Sequence, residues 1–247
     1  MNQKKIDFGL IGVGYLGKYH LKHLLNISNI NFIGIYDLNQ KRGKELSSQY
    51  NVETFNTIDD LLSKVDAVSI ATPTTSHQEI ACKALEHNCH VFIEKPIAES
   101  VSAAKTILEK VKNKNKIAHI GHIERFNPAF VAFMQNSHKP LFLECHRLTK
   151  MNNRSMDISV ILDLMIHDID LVLSLIKSDV CDLKASGAAV ITNRLDLVNA
   201  RIVFKNNTVA NITASRISHK QMRQMRVFEK NLYTSIDFNA QTINQFK

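Results

Sequence analysis

The chain has 247 residues, of which 45% are apolar and 22% charged, and its formal net charge is +8 at pH 7. This composition excludes a disordered chain and leaves room for one large domain or two modest ones. Every apolar run is shorter than the roughly 20 residues of a membrane-spanning helix, so we expect a cytoplasmic protein that does not enter a membrane.

The basic charge and the cysteines limit the classes of partner and site. A positive balance favours anionic partners, and we expect a small anionic molecule rather than nucleic acid. The densest basic run, residues 110–116, has the pattern of a solvated helix end without aromatic residues between its lysines. The four cysteines lack the Cys-x-x-Cys spacing typical of zinc ligands, so we interpret them as buried reduced thiols and predict no metal site.

The first half of the chain alternates short apolar runs with helical patterns. Strands are predicted at residues 6–11, 31–36, 67–71, 91–93 and 116–120. Helical spacing covers residues 16–25, and Thr57, Ser76 and Ser100 are predicted to cap further helices. This alternation predicts a doubly wound parallel sheet over residues 1–121.

The pattern changes near Gly121. Asn127-Pro128 predicts a helix start, a strand is predicted at residues 141–148, and a longer apolar helix is predicted at residues 159–176. Strands follow at residues 182–191, 198–204, 209–215, 225–228 and 233–238. Residues 122–247 are therefore predicted to form an α+β domain on an open, mostly antiparallel sheet.

A glycine-rich turn, Gly12-Val13-Gly14-Tyr15-Leu16-Gly17, joins the first predicted strand to the first helix. In that position, glycines permit a tight turn, close approach of a pyrophosphate and close packing of helix on strand. Asp37 follows the second predicted strand at the distance expected for a carboxylate that binds ribose hydroxyls. Such a carboxylate repels a 2′-phosphate, so NAD is favoured over NADP, although Arg42 keeps NADP open.

A lysine with a proline after it ends the fourth predicted strand. Glu94-Lys95-Pro96 follows directly on residues 91–93, at the crevice where open α/β sheets bind ligands. Pro96 restricts the backbone that presents Lys95. Together with the glycine turn, this motif predicts a hydride-transfer enzyme.

A carboxylate and an imidazole share one face of the long helix predicted in the second half. Asp163 and His167 are four residues apart, with Asp170 three further on, and apolar residues surround them. A helix that is apolar nearly all round is buried unless its polar residues face a cleft, so we favour a catalytic pair over ordinary surface charges. His167 is the predicted general base, because free imidazoles titrate at about pH 6.5 and free lysines at about 10.4.

These motifs resemble those of the Gfo/Idh/MocA oxidoreductase family, in order and approximate spacing, across nearly the whole chain. The resemblance rests on the glycine turn, Ala71-Thr72-Pro73 with His77 beyond it, Glu94-Lys95-Pro96, and Asp163 with His167. Within the family, residues 121–128 and 162–168 are similar to the branch that oxidises the 3-hydroxyl of UDP-N-acetylglucosamine.

The resemblance implies an N-terminal domain that holds NAD and a C-terminal domain whose open sheet forms the face of a homodimer or homotetramer. It implies a cis peptide bond between Lys95 and Pro96. It also implies a further C-terminal segment that packs back on the first domain; this sequence stops before it, so a shortened C-terminal domain is expected. The implied cofactor-binding residues are Gly12, Gly14, Tyr15, Leu16, Gly17, Asp37, Thr72, Pro73, His77, Glu94 and Lys95.

The predicted reaction oxidises a sugar hydroxyl, with a nucleotide sugar as the expected substrate. His167 accepts the hydroxyl proton while hydride leaves the same carbon for nicotinamide. Asp163 steadies the imidazole and Lys95 orients the oxygen, so these three residues are the catalytic candidates.

The substrate-binding candidates are Arg125, Arg147 and Arg216. Arginine forks suit phosphate oxygens, and for the arginines a diphosphate clamp and solvated cations are equally weighted interpretations. Two alternatives to the function stay open. One is another dehydrogenase of the family, acting on inositol, a free sugar or a bile pigment, and the other is a dinucleotide-binding regulator without catalysis.

Overall fold

A computed structural model describes residues 5–151 and 158–247. The chain divides after Gly121 into two compact units. Within the described residues, no helix combines the length and the apolar character that crossing a membrane requires.

The described part of the first unit contains a five-stranded sheet. Its strands are β1 (Ile6–Ile11), β2 (Ile30–Tyr36), β3 (Ala67–Ile70), β4 (His90–Ile93) and β5 (Ala118–Ile120). All neighbours are parallel and the order is β2-β1-β3-β4-β5, which confirms the predicted doubly wound sheet. The strand order reverses at β1, so the carboxyl end of this strand is the switch point where such sheets bind ligands.

Helices connect these strands, and the local sequence explains where most of them begin. They are α1 (Tyr15–Leu24), α2 (Gln40–Tyr50), α3 (Ile58–Leu62), α4 (His77–Glu86) and α5 (Val101–Lys114). The hydroxyls of Thr57 and Ser100 each accept a hydrogen bond from the N–H group three residues on, as predicted for caps. The predicted cap at Ser76 is wrong, because its hydroxyl donates to the carbonyl of Pro73 in a preceding 3₁₀ turn.

Among the described residues of the first unit, the core consists of two apolar clusters. Leu21 of α1 and Leu46 of α2 belong to one cluster, and Leu85 of α4 and Ile107 of α5 belong to the other. Burying each such side chain stabilises the fold by about 1.5–3 kcal/mol. The helices are thereby held against the sheet, and their first turns are fixed relative to the strand ends.

The described part of the second unit contains a seven-stranded sheet. Its strands are β6 (Phe142–Leu148), β7 (Val180–Ala188), β8 (Leu197–Phe204), β9 (Val209–Ser215), β10 (Met222–Glu229), β11 (Leu232–Asp237) and β12 (Thr242–Phe246). The order is β12-β11-β10-β6-β9-β8-β7, and every pair is antiparallel except β6 with β9, which confirms the predicted mostly antiparallel sheet. Strand β12 was not predicted, since its sequence is largely polar and pairing with β11 orders it.

Helices cover one face of this sheet. Helix α6 (Pro128–Met134) begins where Asn127-Pro128 predicts, and the Asn127 side chain accepts a hydrogen bond from the backbone two residues on. The long predicted helix has two parts, a π-helical segment at Ile161–Met165 and then α7 (Ile166–Leu175). Phe133 and Leu171 from these helices belong to one apolar cluster with the buried side chains of the sheet.

The cysteines only partly match the prediction of buried thiols. Cys89 and Cys145 are buried, Cys82 is half-buried, and Cys181 is exposed on the edge strand β7. Burial raises the pKa of the Cys89 thiol to about 11, so this side chain stays protonated near neutral pH. The exposure of Cys181 corrects the prediction, because an edge strand has a neighbour on one side only.

Candidate functional site

A cleft of about 870 Å³ lies in the first unit at the carboxyl ends of β1, β2 and β3. Its volume is within the range of ordinary cofactor sites. The predicted cofactor residues that line it are Gly12, Gly14, Tyr15, Leu16, Asp37, Thr72 and Pro73. The tertiary structure thus brings together three separate sequence segments that were predicted to share one site.

The three glycines of the turn differ in what a Cβ atom at each position would contact. Gly12 has a φ of +88°, and a Cβ on it would lie 2.7 Å from the Thr72 side chain. A Cβ on Gly17 would lie 2.1 Å from the carbonyl oxygen of Gly12, so α1 packs directly on the end of β1. A Cβ on Gly14 would meet, among the described residues, only Arg42 Nη1 at 4.0 Å.

Gly14 therefore shows that the turn fits a dinucleotide. Neither packing within the chain nor its φ of −67° requires glycine there. The residue directly precedes α1, whose first N–H groups lack a capping side chain. A helix N-terminus with bare backbone in front of it suits the close approach of a pyrophosphate.

Asp37 follows β2 and is 7% exposed at the edge of the cleft. Its Oδ2 accepts the N–H of Val13 at 2.8 Å, and its Oδ1 accepts the N–H of Asn39 at 2.8 Å. Arg42 Nη1 lies 3.9 Å from the carboxylate. The carboxylate is thus locked in the place where ribose hydroxyls would donate to it, which fits NAD better than NADP.

The Glu94-Lys95-Pro96 segment follows β4, and the bond between Lys95 and Pro96 is cis, as the resemblance implies. His77, which was predicted to bind the cofactor, lies between two backbone carbonyls. Its ring is 1% exposed, with Nδ1 2.9 Å from the carbonyl oxygen of Pro96 and Nε2 3.0 Å from that of Thr72. His77 therefore joins the loop after β3 to the loop after β4, and both of its ring nitrogens are engaged within the unit.

Sequence reasoning missed His20, which lies on α1 behind the glycine turn. Its Nε2 is 2.8 Å from Oε1 of Glu94, and its Nδ1 is 2.8 Å from the hydroxyl of Ser69 on β3. The carboxylate of Glu94 is thus engaged inside the unit, although Glu94 was predicted to contact cofactor. The only sequence signal for His20 was its place one turn after Gly17 on a face that is otherwise apolar.

In the second unit, Asp163 lies in the π-helical segment and His167 in the first turn of α7. Both are half-buried, and the neighbouring Met165 and Asp168 are fully buried. π-Helical segments are rare and occur frequently at functional sites. The arrangement holds an imidazole and a carboxylate on ordered backbone.

A buried ion pair that includes Arg147 anchors this helix start. The Arg147 side chain is 2% exposed, donates to both oxygens of Asp168 at 2.9 and 3.0 Å, and donates to Glu124 at 2.9 Å. Burial raises the pKa of the Asp168 carboxyl, and the charge of Arg147 opposes that shift. Arg147 is therefore engaged within the unit by three of its five N–H donors, and its binding of substrate stays a prediction.

The other two predicted arginines differ in accessibility. Arg125 is 50% exposed in its side chain and forms a two-pronged ion pair with Asp170 at 2.5 and 2.6 Å. This pairing raises the pKa of the Arg125 guanidinium. Arg216 is 6% exposed and donates to the carbonyl of Ile158 at 2.7 Å.

The backbone of Gly14 in front of α1 and the hydrogen-bonded carboxylate of Asp37 identify the first unit as a dinucleotide-binding Rossmann domain. Residues 6–122 match the Gfo/Idh/MocA oxidoreductase family with its NAD-binding Rossmann fold, and residues 119–230 match the C-terminal domain of the same family. The chain belongs to the Gfo/Idh/MocA family of NAD-binding oxidoreductases.

Individual relatives agree with this assignment. The UDP-N-acetylglucosamine 3-dehydrogenase of Acidithiobacillus ferrooxidans is 38% identical over 96% of this chain and 75% of its own length. A solved structure of that enzyme has a TM-score of 0.94 at 37% identity, over 99% of this chain and 81% of the other. The inositol 2-dehydrogenase/D-chiro-inositol 3-dehydrogenase of Halalkalibacterium halodurans is 28% identical over 70% of this chain and 53% of its own length.

The turn glycines give a matched pair of variants. Gly14→Ala is expected to leave the melting temperature nearly unchanged and to weaken NADH binding about tenfold or more, because the new methyl group occupies only the ligand's space. Gly17→Ala is expected to lower the melting temperature, because its Cβ collides with the carbonyl of Gly12. Thermal unfolding and fluorescence titration with NADH measure both effects. Equal loss of stability in the two variants would contradict this account of Gly14.

The Arg147–Asp168 pair gives a second prediction. Asp168→Asn is expected to lower the free energy of unfolding by about 3 kcal/mol or more, because it leaves a buried guanidinium short of negative charge. The control is Asp179→Asn, which breaks an ion pair with Lys205 whose side chains are 78% and 66% exposed. That variant is expected to lose about 0–1 kcal/mol. Urea unfolding of both variants tests the contrast, and similar small losses would refute it.

Proposed function

We propose that the protein oxidises the 3-hydroxyl of UDP-N-acetylglucosamine to the 3-keto sugar nucleotide. The observation that carries this proposal is the similarity of nearly the whole chain, across both units, to the UDP-N-acetylglucosamine 3-dehydrogenase of A. ferrooxidans. The inositol dehydrogenase of H. halodurans is similar over a smaller share of the chain and at lower identity. A nucleotide sugar is therefore favoured over a free polyol.

The reaction needs a hydride acceptor, a proton acceptor and a group that stabilises charge on oxygen. NAD supplies the hydride acceptor when it is bound. His167 takes the hydroxyl proton as the carbon loses hydride, so that the C–O bond becomes a carbonyl and the proton remains on the imidazole. Asp163 stabilises the imidazolium formed, and Lys95 orients the reacting oxygen and stabilises its negative charge.

Among the arginines, we assign contact with the diphosphate of the substrate to Arg125, with Arg216 as the second candidate. The guanidinium of Arg125 is exposed and can reach a ligand in solution, whereas the Arg147 side chain is only 2% exposed. A planar guanidinium held by one carboxylate keeps further N–H donors for phosphate oxygens. The ion pair with Asp170 would pre-orient those donors.

We also propose that the protein forms a homodimer or homotetramer through the sheet of the second unit. On the face opposite α6 and α7, four aromatic rings follow one another across neighbouring strands, with centroids 5.1 to 5.9 Å apart. They are Phe142, Phe228, Tyr233 and Phe246. Phe228→Glu is expected to shift the protein to monomers in sedimentation experiments, with circular dichroism checking the fold. A wild-type protein that sediments as a monomer would refute the proposal.

The function is tested by incubating the protein with NAD and UDP-N-acetylglucosamine and following the absorbance of reduced nicotinamide. We expect reduction with this substrate and little with inositol or with free N-acetylglucosamine. Reduction only with inositol would reassign the substrate. Tight NADH binding without turnover on any of these compounds would favour a regulator.

His167→Asn tests the assignment of the base. The variant is expected to lower kcat by about 100-fold or more while the Kd for NADH stays within about twofold, because general-base catalysis typically contributes a factor of 10²–10⁴. His23→Asn is the control, since it makes the same change at an exposed position on α1. A kcat for His167→Asn equal to that of the control would remove His167 from the mechanism.

A further inference from the structure

We propose that His20 is a positioning residue for Lys95. It acts through a hydrogen-bonded chain of Ser69, His20 and Glu94, called the His20 chain below. The inference deepens the proposed function, because it rests on the role of Lys95 at the reacting oxygen. His20 itself has no assigned contact with cofactor or substrate.

The direction of the His20 chain follows from the chemistry of its members. An ionised carboxylate only accepts hydrogen bonds, so Nε2 of His20 donates to Oε1 of Glu94 at 2.8 Å. A neutral imidazole then accepts at Nδ1, and the Ser69 hydroxyl donates to it at 2.8 Å. Ser69 is 2% exposed and Glu94 9% exposed, so water competes little for these bonds.

Glu94 passes this constraint to Lys95. The second carboxylate oxygen of Glu94, Oε2, accepts the backbone N–H of Lys95 at 3.1 Å. One carboxylate therefore joins α1 on one side to the peptide of Lys95 on the other. If the carboxylate turned away, this N–H would lose its acceptor and the backbone at Lys95 would gain freedom.

Gly121 makes room for this carboxylate. A Cβ on Gly121 would lie 3.0 to 3.1 Å from Oε1, Oε2 and the carboxyl carbon of Glu94. The backbone N–H of Gly121 donates to the carbonyl of Ile93, which holds β5 close beside the end of β4. The absence of a side chain at Gly121 thus allows the carboxylate to reach both His20 and Lys95.

The other side of Lys95 is already fixed. Nδ1 of His77 lies 2.9 Å from the carbonyl oxygen of Pro96, and the His77 ring is buried. On the Glu94 side, the backbone N–H of Glu94 donates to the carbonyl of Ile70 at 3.0 Å, and the N–H of Lys95 donates to the carboxylate that His20 holds. Two histidines from different helices therefore hold the residues before and after Lys95.

The test compares three substitutions of His20, with hydrogen exchange followed in the protein saturated with NADH and with kinetics and binding measured in separate assays. His20→Ala breaks the hydrogen bonds of the His20 chain. His20→Gln keeps a donor near the Nε2 position, and His20→Asn keeps a polar group only near the Nδ1 position. His23→Ala is the control, because it truncates an exposed histidine of the same helix. Amide hydrogen exchange at Lys95 is measured together with kcat, KM and the Kd for NADH.

We expect Lys95 exchange to be about tenfold faster and kcat about tenfold lower in His20→Ala, with the Kd for NADH within about twofold of wild type, since small misplacements of reacting groups cost rate. His20→Gln should recover both values, and His20→Asn should not. Gly121→Ala should reproduce the His20→Ala result without altering the histidine. The proposal is overturned if Lys95 exchange is unchanged in His20→Ala, or if exchange rises while kcat does not fall.

The two readouts separate this proposal from the proposed function. A wild-type protein that reduces no NAD with UDP-N-acetylglucosamine would refute the substrate assignment. Lys95 exchange would then decide on the His20 chain alone, because that measurement needs no substrate. Recovery by His20→Asn but not by His20→Gln would also overturn the proposal, since it would assign the effect to Ser69 rather than to Glu94.

Discussion

The contact between α1 and the end of β1 is the constraint on which the first unit depends. A Cβ on Gly17 would lie 2.1 Å from the carbonyl oxygen of Gly12, so the helix sits as close to the strand as two backbones permit. This contact aims the first N–H groups of α1 at the cleft and leaves the backbone of Gly14 bare in front of them. It also brings His20, one turn further along the same helix, beside the end of β4.

In the second unit, a buried ion pair rather than a close backbone contact holds the start of α7 in place. Removing Arg147 and Asp168 from water costs free energy, and two hydrogen bonds between them and a third to Glu124 offset that cost. The pair ties β6 to the first turn of α7, next to His167. A buried ion pair suits this place because its geometry is more directional than apolar packing.

Much of the fold could be predicted because its signals are local. Alternating apolar runs and helical spacing located the strands of both units, and Thr57, Ser100 and Asn127 marked helix starts through hydrogen bonds to backbone within three residues. The glycine turn and Asp37 were recognisable because their spacing follows from the geometry of one strand–helix–strand unit. Strand β12 was not predicted, since its largely polar sequence forms a strand through pairing with β11.

The amino-acid sequence by itself determined the class of sheet in each unit, the glycine turn, and the residue types available for proton and hydride transfer. Only the tertiary structure decided which polar side chains are engaged within the protein. Arg147 meets Asp168 across 21 residues, His77 meets Pro96 across 19, and His20 meets Glu94 across 74. No periodicity or spacing rule connects such pairs, because a hydrogen-bond partner is chosen by position in space after the chain has packed.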